Sequence, residues 1–227
     1  MYDIVYVLKD NPPTEELRYS LRSLMNFPHR EVWFVCGVPD GIKPDHQIRH
    51  EQRGASNWQK STSSVYLACL EKGLTEDFWL FNDDFFVMKP VKSMKPIYNG
   101  TLYRRIQELE ERNFGKTLYS RELEKDYRML MEEGYKTLNY SVHMPMLINK
   151  KKALQLLDKY PNLPSFRSLY GNYWDIGGVN RKDCKVLSHT EVPKNTRFLS
   201  TTDTAFQYGK VGEYIRERFP EKSRFEL

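Results

Sequence analysis

Two adjacent carboxylates, Asp83 and Asp84, interrupt the apolar run "FWLFNDDFFVMKP" at 78–90. The aromatic and aliphatic residues on either side read as a buried strand. An unpaired buried carboxylate costs several kcal/mol or takes up a proton, so a cation is expected to meet these two. A hard divalent ion suits the residue types, because Mg2+ and Mn2+ take oxygen ligands and commonly bridge protein carboxylates to substrate phosphates. "NDD" therefore points to a metal-dependent site for a nucleotide diphosphate. The same residues also make turns and N-caps, and the tripeptide alone does not choose.

Such a site needs a strand end to hold it. "DIVYVLKD" (3–10), "EVWFVCG" (31–37) and "FWLFND" (78–83) have the β-branched and aromatic character of strands. Between them, "TEELRYSLRSLM" offers Thr14 as an N-cap, acidic first-turn residues and apolar Leu17, Leu21 and Leu24, while 57–72 sets Val65 and Cys69 at helical spacing. Successive β-α-β units predict an α/β fold, a single mostly parallel sheet flanked by helices in the Rossmann-like manner, with ligands beyond the carboxyl ends of the strands. The two aspartates fall at that end.

From about 101 to 134 the composition shifts. "RRIQELEERN" and "SRELEKDYRMLMEEG" predict two charged helices of an insertion, either a solvated hairpin or a lid or acceptor-docking element. "YSVHMPMLIN" (140–149) returns to strand character, "KKKALQLLDKY" reads as a helix stopped by Pro161, "KVLSHTEV" (185–192) as a late strand and "VGEYIRERF" as a final helix.

A chain of 227 residues suits one domain, 1–227, with that insertion inside it. Its 40% hydrophobic content excludes a disordered chain. No apolar stretch approaches the roughly 18 residues of a membrane span, and the N-terminus lacks a signal-peptide pattern, so the chain reads as cytoplasmic. Cys36, Cys69 and Cys184 form no CxxC pair and read as buried thiols, which argues against zinc. The formal net charge of +5 favours a phosphate-bearing ligand or an anionic polymer. Its cations are spread among glutamates without interleaved aromatics, which is not the pattern of a nucleic-acid binder.

In order along the chain, "EELRYSLRSLM", "SNWQKSTSSVYLACLEKGLTEDFWLFNDDFFV", "YSVHMPM", "FRSLY" and "FLSTTDTAF" with "FPEKSRFE" resemble the regions shared by the Stealth family of sugar-phosphate transferases. The resemblance implies a glycosyltransferase A-like core that moves a hexose 1-phosphate from a UDP-sugar to a hydroxyl of a glycan or related polymer, releasing UMP. It implies that Asp83 and Asp84 hold Mg2+ or Mn2+ and the donor diphosphate, with Asn82 orienting them. His143 would be the catalytic histidine, Arg167 the phosphate-binding arginine and Asp203 the late acidic residue of the site. Asn57 and Lys60 would bind substrate from the polar start of their helix. The first strand lacks the Trp-Val-Asp ending of the family, and "TTD" stands where Asn-Asp-Asp is expected.

The chemistry has its own logic. An alcohol attacking a phosphorus diester needs a base, a cation for the non-bridging oxygens and an aligned leaving group. On residue type alone, His143 reads equally well as a hydrogen-bonded core histidine, Arg167 as a surface ion pair and Asp203 as a helix cap. His189 is a second candidate ligand, and Trp174 with Asp175 would form an acceptor wall or pack in the core. Two other functions compete. One is an ordinary glycosyltransferase releasing UDP and acting on a glycan, a protein or a modified nucleic-acid base; the other is a non-catalytic sugar-nucleotide binding module.

Overall fold

Alternating apolar residues build the central sheet. The computed structural model describes residues 1–10, 14–161 and 165–227; the side chain of Thr14, and with it the predicted cap, lies outside the described set. The strands are β1 (Asp3–Val7), β2 (Val32–Val35), β3 (His46–Ile48), β4 (Asp77–Phe81), β5 (Phe85–Val87), β6 (Ile97–Tyr98), β7 (Met146–Asn149), β8 (Val179–Asn180), β9 (Lys185–Val186) and β10 (Phe198–Thr201). The helices are α1 (Thr14–Ser23), α2 (Asn57–Leu70), α3 (Leu102–Arg112), α4 (Leu118–Glu132), α5 (Lys150–Lys159), α6 (Phe166–Tyr173), α7 (Asp203–Tyr208) and α8 (Lys210–Arg218).

The main sheet has the order β3-β2-β1-β4-β7. β1 pairs parallel with both β2 and β4, and β2 with β3, while β7 runs antiparallel to β4. This is the predicted α/β architecture, a largely parallel mixed sheet flanked by helices. The period of two divides its side chains between two cores. Val5, Trp33 and Leu80 pack with α2, α5 and α6. Ile4, Tyr6, Phe34 and Phe81 pack with Leu17 and Leu21 of α1 and with Phe85. β5, β10 and β9 form a second small sheet, and β6 pairs with β8.

The hairpin of α3 and α4 is more than a solvated arm. Leu102, Ile106, Leu109, Leu123 and Leu130 bury a stripe in the first core, an apolar face at i, i+4, i+7 spacing that the surrounding charges masked. The expected strand at 140–149 shrinks to Met146–Asn149. Pro145 lacks the N–H a ladder needs, and the residues before it bond elsewhere, as described below. The strand expected at 185–192 likewise shortens to Lys185–Val186. Cys36 and Cys69 are buried, whereas Cys184 is half-buried; all three are free thiols. No helix among the described residues is long and apolar enough to cross a membrane.

A buried carboxylate anchors the start of the sheet. Asp3 accepts from Arg30 Nε (2.8 Å) and Nη2 (3.1 Å) and from the amides of Glu31 (3.2 Å) and Thr75 (3.0 Å). Burial would raise its pKa, but these donors outweigh it and hold the carboxyl below its ordinary value. Asp3→Asn is expected to lower the unfolding free energy at pH 7 by roughly 2 kcal/mol, the scale of charged hydrogen bonds. Because the folded pKa is depressed, this contribution is complete above about pH 4 and fades as pH falls further. Urea titrations across that range should show a steeper acid loss in the wild type than in the variant.

Candidate functional site

The segment before Pro145 starts with a backbone bridge of Leu138 to Thr101 and bonds of Asn139 to Asn99 and Gly100, and α6 supplies further partners with side chains. Asn172 accepts from the amide of Leu138 and donates to its carbonyl, both at 2.8 Å. Ser168, one turn earlier, accepts from the amide of Tyr140 at 3.1 Å and bonds Ser141 Oγ at 3.0 Å. Gly171 lies on the same helix because no Cβ fits: one built there would stand 2.4 Å from the ring of Tyr140. The Tyr140 hydroxyl then donates to the carbonyl of Gly177 at 2.7 Å. Residues 138–143 and α6 are thus locked face to face, with His143 at the end of one and Arg167 at the start of the other.

His143 is held at two points by Asp183. Its amide donates to Asp183 Oδ1 (3.0 Å) and its Nδ1 to Oδ2 (2.7 Å). Burial would raise the Asp183 pKa, but the hydrogen bond and charge of His143 hold it below the usual carboxylate range. The carboxylate fixes the tautomer with the proton on Nδ1 and leaves Nε2 as the basic nitrogen. Sequence reasoning missed Asp183, since "RKDCK" has the look of a solvated loop; only its approach to His143 in space marks it.

Arg167 donates from Nη1 to the carbonyl of Met144 (2.8 Å) and from Nη2 to that of Leu80 and to Asn82 Oδ1 (both 3.3 Å). Its guanidinium lies over the ring of Phe85 at 5.3 Å. Burial pushes its pKa down to about 10 against the pull of Asp84 and Asp183, so it stays cationic at neutral pH. Asn82, His143 and Arg167 line one cavity of about 150 Å³ with Trp58, Ser61 and Tyr119. Tyr119 comes from α4 and stacks on Trp58 of α2 with centroids 5.0 Å apart, so the insertion forms part of the wall.

The paired aspartates diverge. Asp84 ion-pairs through Oδ2 with Lys185, an unforeseen partner, and accepts from Ser200 Oγ at 3.0 Å. Its Oδ1 is buried with no hydrogen-bond partner among the described residues. Burial and Asp84 lift Asp83 to about 6, against the attraction of Lys9; Asp203 adds to the rise. Lys9 sits there because the chain after β1 crosses Gly37 so closely that a Cβ would stand 2.2 Å from the Asp10 carbonyl. Glu16, also unforeseen, is buried and accepts from Thr201 Oγ1 at 2.7 Å. Burial, and then Asp84, Asp203 and Asp83, lift it to about 7 despite that bond.

The remaining candidates sit apart from the cavity. Asp203 is an exposed first-turn residue of α7, near enough to act on Asp83 and Glu16, and the helix is capped by Thr202, not by Asp203. Asn57 and Lys60 occupy the first turn of α2, whose Trp58, Ser61 and Thr62 turn to the cavity instead. His189 is exposed, with its carbonyl bonded to the amide of Lys210. Trp174 packs against the first core and Asp175 pairs with Lys136 at 2.7 Å.

Among the described residues, no three His, Cys, Asp or Glu side chains gather into a metal-binding group. The donors present still fit a hard cation in kind. Asp84 Oδ1 lacks a partner, Asp83 faces an excess of negative charge, and one or two carboxylates are what Mg2+ takes where phosphates complete its shell.

No protein-family model matches the sequence, and no curated protein matches it. Solved structures with a loosely similar fold include the galactosyltransferase LgtC in complex with donor and acceptor sugar analogues, at 12% identity over 74% of this chain and 68% of that one, TM-score 0.36. Mouse xyloside xylosyltransferase 1, apo form, is similar at 13% identity over 99% and 96%, TM-score 0.37. The glycosyltransferase GlyE of Streptococcus pneumoniae TIGR4 follows at 10% identity over 96% of this chain and 49% of that one, TM-score 0.35.

Two stability measurements check the electrostatics. Lys185→Met strips a half-buried carboxylate of its cation and is expected to cost roughly 2–3 kcal/mol in chemical denaturation; adding Asp84→Asn should recover most of it. Asp83 and Glu16 carry raised folded pKa values, so their contribution is present below the unfolded carboxylate range and is lost as pH rises through about 6 to 7. Metal-free protein should therefore lose stability between about pH 4 and pH 7, and Asp83→Asn with Glu16→Gln should flatten that slope.

Proposed function

We propose that this chain is a metal-dependent transferase that moves a hexose 1-phosphate from a UDP-sugar to a hydroxyl acceptor and releases UMP. The observation that carries the reading is the convergence of His143, oriented by Asp183, with Arg167 and Asn82 on one cavity at the end of β4. The resemblance to the Stealth family agrees with it.

In this reading the acceptor hydroxyl gives its proton to His143 Nε2 as its oxygen bonds to the β-phosphorus. The bond from that phosphorus to the oxygen bridging to the α-phosphate breaks, and the leaving UMP keeps that oxygen. Asp183 holds the imidazole in the receptive tautomer and steadies the imidazolium that forms. Arg167, already committed by two carbonyls and Asn82, presents a fixed charge to the phosphoryl oxygens, so little reorganisation is needed as negative charge builds there. Asp83 and Asp84 would hold Mg2+ or Mn2+, which when bound neutralises non-bridging diphosphate oxygens. Tyr119 and Trp58 wall the cavity and limit the entry of water, the competing acceptor.

The test is to incubate the protein with a panel of nucleotide sugars and Mg2+ or Mn2+ and to identify the nucleotide released. UMP is expected. UDP would shift the reaction to ordinary glycosyl transfer at the anomeric carbon, and measurable donor binding without turnover would make the chain a binding module. His143→Gln and Asp183→Asn are each expected to lower kcat by roughly 10²-fold or more while leaving donor affinity, read by calorimetry, within about twofold.

A further inference from the structure

Asp126 is a buried acid with no part in that mechanism. α4 lays Leu123, Asp126 and Leu130 along its inner face at i, i+3 and i+7, and all three are buried. An acid on that stripe gives the core nothing that a leucine would not give better, because a buried carboxyl forgoes its hydration. We propose that Asp126 is a positioning residue of the cavity, acting through Ser165 and the serine hydroxyls beyond it to hold His143 and Arg167 in register. The proposal rests on the transferase reading for calling that register a catalytic geometry, but the buried acid and its route stand on observations of their own.

The route is short. α4 packs against α6, and Ser165 is the residue at which α6 begins. Buried polar atoms are nearly always partnered, yet the two Asp126 oxygens complete no hydrogen bond among the described residues. The groups that bear on them as donors are the hydroxyl and the amide of Ser165. Ser165 makes no capping bond to the first turn of α6, and its hydroxyl turns elsewhere. It meets Ser141 Oγ at 3.3 Å, Ser141 Oγ meets Ser168 Oγ at 3.0 Å, and Ser168 Oγ accepts from the amide of Tyr140 at 3.1 Å. Ser165 stands two residues before Arg167 and Ser141 two residues before His143, and both serines line the cavity. The hydroxyls thus join the two halves of the interlock at the ends that carry the site.

The partner that Asp126 faces suits an uncharged acid. A neutral carboxyl offers one acceptor and one donor, which match an amide and a hydroxyl on the same residue, whereas a carboxylate only accepts. Burial pushes the Asp126 pKa well above its ordinary value, against the hydroxyl and amide of Ser165. Glu122, one turn earlier on the same helix, adds to the rise and Lys125 opposes it. Lys125 is already committed to Glu122 at 2.7 Å. Hydroxyls bonded in line polarise one another and share one direction, so an acid at the head of the line donates into Ser165 and sets how each following serine turns its proton. An ionised Asp126 would reverse that direction, and with it what Ser141 and Ser165 present to the cavity.

Three variants of the full chain test this. Asp126→Leu keeps the branched shape and removes both polar atoms, Asp126→Asn keeps an acceptor and a donor, and Ser165→Ala removes the hydroxyl and carries the same test should the leucine not be accepted by the fold. Asp126→Leu and Ser165→Ala are each expected to lower kcat roughly tenfold with the donor KM within about twofold, and Asp126→Asn to stay within about threefold of wild type. The Asp126→Leu/Ser165→Ala double variant should lose no more than either alone, since the two act in one line. Without substrate, the ring signals of His143 in 1H–15N spectra, assigned by their loss in His143→Gln, should move in Asp126→Leu and stay in place in Asp126→Asn. An asparagine variant as impaired as the leucine one, losses that multiply in the double variant, or His143 signals indifferent to Asp126→Leu would each overturn the proposal. Absence of nucleotide release from every nucleotide sugar, with the His143 signals moving as expected, would sink the transferase reading and leave Asp126 in its role. Turnover that Asp126→Leu does not alter would sink the role alone.

Discussion

The site depends on charge neutralised in a half-buried place. Asp84 and Asp183 bring two negative charges to the end of β4, and Lys185 and Arg167 bring two positive ones. Neither sign can be withdrawn from water alone without a cost of several kcal/mol. Lys185 pairs with Asp84, Asp183 holds His143, and Arg167 grips the carbonyls of Met144 and Leu80 within the field of both carboxylates. The cavity is polar yet fully compensated before any ligand arrives, the condition for a preorganised electrostatic environment. On the other side of the same strand end, Lys9 attracts Asp83 alone, and the raised values of Asp83 and Glu16 express burial and the repulsion of the neighbouring carboxylates. One half of the site is electrically complete and the other is open to a cation.

Positioning follows from an interlock that is neither helix packing nor sheet. Residues 138–141 hang on Ser168 and Asn172, side chains at i, i+4 on α6, and the fit of Tyr140 over Gly171 sets the spacing. α6 in turn buries Phe166 and Leu169 in the core shared with β1 and β4. A displacement of α6 would therefore move His143 and Arg167 together, preserving their relation while shifting both against Asn82. Lys185 and Asp183 arrive separately, on and just before β9, whose register is set by parallel pairing with β10.

The parallel sheet was legible because β-branched and aromatic runs alternate with amphipathic helices, and both hairpin helices were legible from their length and charge. What escaped notice depends on pairing across space. Lys185 lies 101 residues from Asp84 and Asp183 lies 40 residues from His143, and nothing in "RKDCKV" announces either role. The strand at 140–149 was misjudged because its apolar composition is genuine while its hydrogen bonds go to side chains, which composition does not encode. For Asp84 of the "NDD" tripeptide, the cation that burial demands is a lysine carried by the chain itself.

That lysine changes what a divalent ion would have to do. With Asp84 Oδ2 already bound by Lys185 and Ser200, an ion that demanded both aspartates in full would have to break a compensated pair, at a cost it would recover only from its own ligands. An ion resting on Asp83, with the unpartnered Oδ1 of Asp84 beside it, breaks nothing and relieves the repulsion that lifts Asp83 and Glu16. In the proposed reaction the protein's own Lys185 and Arg167 would therefore serve the phosphate nearer His143. In the proposed reaction a bound ion would add its charge beside Asp83, on the side of the strand end where Lys9 stands.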